Sequence, residues 1–465
     1  MENQMKYQTG DKVPFWKNLA FALQQVFAIV TATMLVPLLS DASGVYLSQS
    51  AALIGAGVGT LCYLLLTKFR SPVFLGSSFA YIAPLATAVT FGYFGILLGA
   101  VFAGLVYVVL ALVIKFAGTN WIDKLMPPII IGPVVALIGF SLAGSAINNL
   151  MYVDASSQYN LVGILVGIFT FLMVVIISVK GPKKLRAFPF ILGMLCGYAL
   201  ASIFTLIGIW ANVEYLKLID FSVFAKVADL NNWLPNLTIV GVFGEGVSKI
   251  GSFGDILNIF VAFAPIAFVS FAEHLADHKN LGSVIGKDLL KDPGLDRTLL
   301  GDGIGTIAGA VFGGCPNTTY GESIGCVALS RNASTRTILT ASIMCIVIAF
   351  FYPFIAFIAS FPVCVVGGVC IALYGFISVS GLRMLKNVDL NESKNLFVVS
   401  SIFITGIGGM FLQFGNINIP EIACALIVGI ITNLVLKTKR KDDQISQNSE
   451  LLESPETIET DQKEE

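Results

Sequence analysis

Gly313-Gly314-Cys315-Pro316-Asn317-Thr318-Thr319-Tyr320-Gly321-Glu322 decides how this chain folds. Glycine, proline, asparagine and β-branched threonine make it a poor helix and a good strand or turn. A carboxylate closes the stretch at Glu322, and Arg331 follows nine residues later. Nine helical residues rise about 13 Å. With Arg331 at a membrane surface, Glu322 therefore lies near the middle of a hydrocarbon core about 30 Å thick. The reading is an extended stretch entering from one side and a half-helix leaving by the other. Such backbone is tolerated at that depth only where it is buried in protein or lines a cavity.

The membrane premise comes from the rest of the chain. Of 465 residues, 56% are apolar and only 12% are charged, against about 25% charged in soluble domains. So few charges cannot cover the surface of several soluble domains. A water-soluble enzyme, a disordered chain and a nucleic-acid-binding protein are excluded, and the net charge of −1 points to no partner. The N-terminus is polar as far as Trp16 and has no signal-peptide pattern. The eight cysteines include no CxxC pair and read as small packing residues rather than disulfides or metal ligands.

Apolar segments fall at 17–39, 46–67, 72–91, 94–116, 126–147, 160–179, 187–210, 254–276, 298–314, 317–330, 336–359, 361–382, 395–413 and 419–436. The ninth and tenth are too short for ordinary spans. Lysine and arginine mark cytoplasmic loops. With the N-terminus inside, 25 of the 28 basic residues fall inside, and only Lys217, Lys226 and Lys249 fall outside. This frames a cytoplasmic tail 1–16, a first seven-span half 17–210, an external loop 211–253, a second half 254–436 and a polar, disordered cytoplasmic tail 437–465. The external loop is open to strands or an interfacial helix.

The two halves echo each other. Ser77-Ser78-Phe79-Ala80 matches Thr318-Thr319-Tyr320-Gly321 in type, and Ala136-Leu137-Ile138-Gly139-Phe140 matches Ala372-Leu373-Tyr374-Gly375-Phe376. Seven is odd, so the second half enters from the opposite side, as in inverted-repeat transporters. The third span then mirrors the tenth: Ser71 to Ser78 is extended, and a half-helix starts near Phe79. The fold class is an all-α integral membrane protein of fourteen segments in two inverted repeats, with extended stretches and half-helices in spans 3 and 10. Two half-helix N-termini face each other at mid-membrane, and their free N–H groups suit oxygen acceptors.

Ionisable groups at membrane depth are costly and mark function. Glu273, Asp277 and Glu322 stand out. Glu273 and Asp277 are four apart, on one face of the eighth span. The competing reading of Glu322 is a carboxylate capping its own half-helix, and Asp277 competes with a place at the cytoplasmic surface beside Lys279. His274 and His278 read as structural or interfacial, and Asp302 as a tie between helices. Helix-end N–H groups and carboxylates together fit a small planar ligand with alternating C=O and N–H groups, flanked by Phe79, Tyr320 and Tyr374. A pyrimidine-2,4-dione or an oxidised purine has that edge.

At these residues the chain resembles the nucleobase–ascorbate transporter family, also called the nucleobase:cation symporter-2 family, and within it the bacterial uracil permeases. The resemblance rests on Gly76-Ser77-Ser78-Phe79-Ala80, Ala272-Glu273-His274, Lys287-Asp288-Leu289-Leu290-Lys291-Asp292-Pro293-Gly294-Leu295 and Pro316-Asn317-Thr318-Thr319-Tyr320-Gly321-Glu322. It implies a core domain of spans 1–4 and 8–11 and a gate domain of spans 5–7 and 12–14. It implies uracil import by proton symport across the cell membrane. The carboxylates of Glu273 and Glu322 and the backbone N–H groups of Phe79 and Gly321 would hold the base. Ala32, Tyr320 and Tyr374 would line the pocket. The implied partners are uracil and the lipid bilayer, with a homodimer left open. No nucleic acid, metal or organic cofactor is implied; the proton is the coupling ion.

The chain departs from the family pattern at four places. Ser323 and Ser330 replace Asn and Thr of the tenth-span signature. Gln25 replaces a first-span histidine. Asp277 stands where some uracil permeases have a histidine, and His278 comes one residue later. The family's proton-linked histidine is therefore not carried over, which leaves three readings: Asp277 takes that role, proton coupling rests on Glu273 alone, or coupling differs. The rival readings are a xanthine or urate permease on the same fold, and an anion transporter on a related seven-plus-seven fold. A membrane-embedded enzyme lacks a nucleophile–base pair or metal cluster at depth.

Overall fold

The computed structural model describes residues 5–41, 43–119, 121, 127–152, 158–182, 185–186, 188–414 and 417–436. The expected disordered tail 437–465, and Lys124, Lys183 and Lys184 of the basic-loop argument, lie outside the described residues. Eight helices among the described residues are long and apolar enough to cross a membrane. They are α1 (Phe15–Ser40), α2 (Gln49–Leu66), α4 (Gly92–Ala117), α5 (Pro128–Met151), α6 (Leu161–Lys180), α7 (Pro189–Trp210), α9 (Phe253–Ile285) and α14 (Val363–Met384). The other α-helices are α3 (Ile82–Val89), α8 (Thr238–Glu245), α10 (Leu295–Gly313), α11 (Gly321–Ser330), α12 (Thr335–Ala349), α13 (Tyr352–Ala359), α15 (Ser393–Ile407) and α16 (Glu421–Val435).

The helix starts follow capping chemistry. Ser48 accepts from the Ala51 N–H at the start of α2, and Asn160 from the Gly163 N–H at the start of α6. Ser252 and Asp255 form a capping box on α9. This helix runs to Ile285, well past the expected end at 276. Its Asp277, His274 and His278 find partners on other elements, so they do not stop it. Gly286, at φ 70°, does.

The helices fall into two packed groups. One holds α1, α2, α4 and α9–α12; the other holds α5–α7 and α14–α16. The expected eleventh span is broken: α12 and α13 meet at 81° across Phe350 and Phe351, with Pro353 opening α13. The chain after α15 makes a short hairpin, β3 (Leu412–Phe414) with β4 (Ile417–Ile419). The loop 211–253 holds three short 3₁₀ helices and α8, with no strand among the described residues.

Packed on α1, α2, α9 and α10 of the first group lies the element foreshadowed by the glycine- and threonine-rich stretches. β1 (Leu75–Ser77) pairs antiparallel with β2 (Asn317–Thr319), in the register Leu75 to Thr319, Gly76 to Thr318 and Ser77 to Asn317. Further bonds run from the Ser78 N–H to the Pro316 carbonyl (3.0 Å) and from the Tyr320 N–H to the Phe74 carbonyl (3.3 Å). Side chains satisfy the outer edges. Thr60 bonds both the N–H and the carbonyl of Leu75 (2.9 and 3.1 Å), and the Thr306 hydroxyl donates to the Asn317 carbonyl (2.6 Å). The Asn317 amide donates to the Gly55 carbonyl (2.8 Å). Every strand residue is buried, so these bonds replace water that cannot reach the backbone. Gly76 has to be glycine: a Cβ there would come within 2.5 Å of the Tyr320 ring.

At the far end of α1, Asp41 gathers the chain before α2. Its carboxylate accepts from the Ser43 hydroxyl and from the N–H groups of Ser43 (3.1 Å), Tyr46 (2.8 Å) and Leu47 (3.0 Å). Burial alone would raise its pKa, but these bonds outweigh burial and hold the group below its ordinary 3.8. A depressed folded-state pKa gives stability that is complete above the unfolded value. That stability is lost as the pH falls through the folded value. Asp41→Asn is expected to lower stability at neutral pH by about 1–2 kcal/mol and to flatten the acid limb below about pH 4. Thermal unfolding of the detergent-purified protein against pH measures both.

Candidate functional site

The two strands deliver two helix starts to one place. After β1 a 3₁₀ turn begins at Phe79 and continues into α3; after β2, α11 begins at Gly321. Neither start has a side-chain cap: Ser78 and Tyr320, the residues before them, make no capping bond. The N–H groups of Phe79 and Gly321, which open the two helices, are therefore available to an acceptor. The Tyr320 hydroxyl instead donates to the Ser77 carbonyl (2.6 Å), holding the two starts together, and Thr33 of α1 approaches it at 3.4 Å.

A small void opens at this junction, about 390 Å³ when its open mouth is counted. Phe79, Glu273, Tyr320, Gly321 and Glu322, five of the expected site residues, line it together. Ser78, Ala80, Thr318 and Thr319 complete the strand side, and Ile138 of α5 and Ile377 of α14 form the opposite wall. These two isoleucines were not foreseen as site residues. The signal lay in the matched segments at 136–140 and 372–376, which bring α5 and α14 to the site.

The other expected residues sit one layer back. Tyr374 meets the Phe79 ring edge-on at 5.8 Å and so backs the lining without forming it. Ala32 is buried in α1 beside Thr33 and does not line the void. Asp277 accepts from the Thr319 hydroxyl (2.6 Å), tying α9 to β2. It is half-buried and belongs to the strand junction, not to the surface beside Lys279. Gln25 donates to the Ser323 carbonyl (3.3 Å) and tethers α11 to α1.

On the opposite face of α9 the histidines are structural. The Thr298 hydroxyl lies 3.1 Å from both His274 Nε2 and the Leu295 carbonyl. His274 Nδ1 meets Asp302 Oδ2 at 2.7 Å with one proton between them. His278 Nδ1 donates to the His274 carbonyl (2.8 Å), and its Nε2 pairs with the Tyr63 hydroxyl (2.7 Å), which reaches Ser71 (2.8 Å). Both rings and Asp302 are fully buried. This network pins α9 to α2 and α10. The same helix turns Glu273 into the void, where no protein group bonds its carboxylate among the described residues.

The void thus offers hydrogen-bond acceptors at Glu273 and Glu322 and donors at two helix starts. No lysine or arginine lines it. A free anion would meet two carboxylates with no cation to offset them. A neutral molecule with N–H and C=O groups side by side satisfies both sets.

Comparison with known proteins agrees with the sequence resemblance. A family model described as the permease family matches residues 16–414. A uracil permease of Bacillus caldolyticus is 38% identical over 90% of this chain and 91% of its own. A uracil permease of Bacillus subtilis is 36% identical over 91% and 93%. Among solved structures, the transmembrane domain of a cyanobacterial bicarbonate transporter superposes with a TM-score of 0.60. It covers 92% of this chain and all of that one at 14% identity, which shows a shared fold alone.

Proposed function

The chain belongs to the permease family of nucleobase carriers, and on that premise we propose that it imports uracil by proton symport across the cytoplasmic membrane. The observation that carries the reading is the pairing of Glu273 and Glu322 with two uncapped half-helix starts around one cation-free void. The carboxylates accept the uracil N–H groups. The N–H groups of Phe79 and Gly321 donate to its carbonyls, and the Phe79 and Tyr320 rings flank its faces.

Glu273 carries the coupling proton, with Asp277 as its neighbour on α9. Coupling requires that substrate bind one protonation state of the carboxylate and that the fully loaded or empty carrier alone reorient. The antiparallel pairing of β1 with β2 supports two inverted repeats, and the apolar segments and basic loops of the sequence support fourteen segments with both termini cytoplasmic. The two packed helix groups are then core and gate, and their relative movement alternates access.

A second void, of about 470 Å³ with its mouth, reaches Glu322 from between α1, α7 and α11, with Arg186 at its rim. It is the release route in this reading.

The test is labelled-uracil uptake into proteoliposomes with an inward proton gradient and with the gradient collapsed. Accumulation that needs the gradient and resists excess xanthine is expected. Uptake indifferent to the gradient would overturn the coupling, and block by xanthine would move the cargo to a purine.

A further inference from the structure

We propose that the groove where the start of α1, the end of α2 and the start of α12 meet binds the headgroup of an anionic phospholipid. The void there measures about 1320 Å³ with its open mouth. Lys68 and Arg336 are the ionic residues on its lining, and no carboxylate joins them. Both are exposed, and neither makes an ion pair or a side-chain hydrogen bond among the described residues. Neighbouring cations on the same face do find partners: Arg70 bonds Asp292 at 2.6 Å, and Lys287 bonds Thr9 at 2.9 Å.

Arg336 is the second residue of α12, the end of a helix where the dipole disfavours positive charge. The first turn of α12 carries no acid. Ser334, the residue before it, donates its hydroxyl to the Asp11 carbonyl (2.7 Å) and leaves the helix end uncapped. Two unpaired cations and a helix N-terminus thus add to one positive potential, which an anion would relieve.

The apolar surroundings identify the source of that anion. Phe15 and Phe69 line the groove, and Phe15, Trp16 and Leu65 beside it are 70%, 77% and 65% exposed. They stand at the ends of two membrane-length helices, the level at which hydrocarbon gives way to headgroups. Inorganic phosphate would use the cations and leave this apolar rim in water. A phospholipid uses both: its phosphate meets Lys68 and Arg336, and its chains lie along α1 and α2.

The test measures binding and thermal stability of the purified full chain with phosphatidylglycerol, with phosphatidylcholine and with inorganic phosphate at matched concentration. Phosphatidylglycerol alone is expected to bind tightly and raise the melting temperature. Each interfacial cation contributes about fivefold in affinity for an anionic lipid, so Lys68→Gln with Arg336→Gln should weaken it about 25-fold. The charge-preserving pair Lys68→Arg with Arg336→Lys should bind as the wild type does. A photoactivatable phosphatidylglycerol on the unmodified protein should crosslink within residues 10–18 and 335–340, whatever the variants do. Equal binding by the glutamine pair, crosslinks elsewhere, or an equal shift from inorganic phosphate or phosphatidylcholine would each overturn the assignment.

Discussion

Glu273→Gln is expected to abolish gradient-driven uracil accumulation while leaving the protein folded. The carboxylate faces the void and has no protein partner among the described residues, so nothing in the fold depends on its charge. Losing a hydrogen bond to a charged acceptor costs about 1.5–3 kcal/mol, or roughly 13–160-fold in binding. The amide also cannot take up and release a proton, so coupling is lost in addition to affinity. Two measurements separate these effects. Equilibrium uracil binding to the variant reports the first, and exchange of uracil across proteoliposomes without a gradient reports the second. Proton-driven uptake at the wild-type level would remove Glu273 from the mechanism.

A larger structural effect is expected behind the site. Asp302→Leu leaves His274 buried without its acceptor, which costs about 1–3 kcal/mol for a neutral donor and more for a charged one. The loss lands on the network that fixes α9, so transport and thermal stability should fall together. Asp302→Asn retains an acceptor oxygen for His274 Nδ1 and should restore most of the stability. If leucine and asparagine behave alike in thermal unfolding, the pair does not hold α9. The contrast with Glu273→Gln is informative, since that change should spare stability and remove transport alone.

Much of the site was legible in the sequence, and the illegible parts have physical reasons. Glycine, proline and threonine announce extended backbone locally, so the stretches at 71–78 and 313–320 could be read directly. Their pairing could not be read. Three residues on each side carry no useful alternation, and the partner lies in the other half of the chain. The length of α9 was missed because hydropathy stops at His274, Asp277 and His278. Their partners on α2, α10 and β2 exist only in three dimensions. The 81° break was masked because Phe350-Phe351-Tyr352-Pro353 is apolar on both sides of the bend. Glu273 and Glu322 were visible because charge is rare at membrane depth. Ile138 and Ile377 were invisible because apolar residues are common there.

The antiparallel crossing also constrains how the protein is made. Leu75 and Thr319 are register partners 244 residues apart. A ribosome adding about 5–20 residues per second reaches the second strand roughly 12–50 s after the first. Throughout that interval Gly76 and its neighbours lack the carbonyl and amide groups that will complete them. An unpaired strand at membrane depth is a strong acceptor for any passing edge. Biogenesis is therefore a waiting problem, in which the first half must be sheltered until the second arrives. A nascent chain arrested before Asn317 should remain bound to its insertion machinery and be cleared by membrane proteases faster than the finished protein.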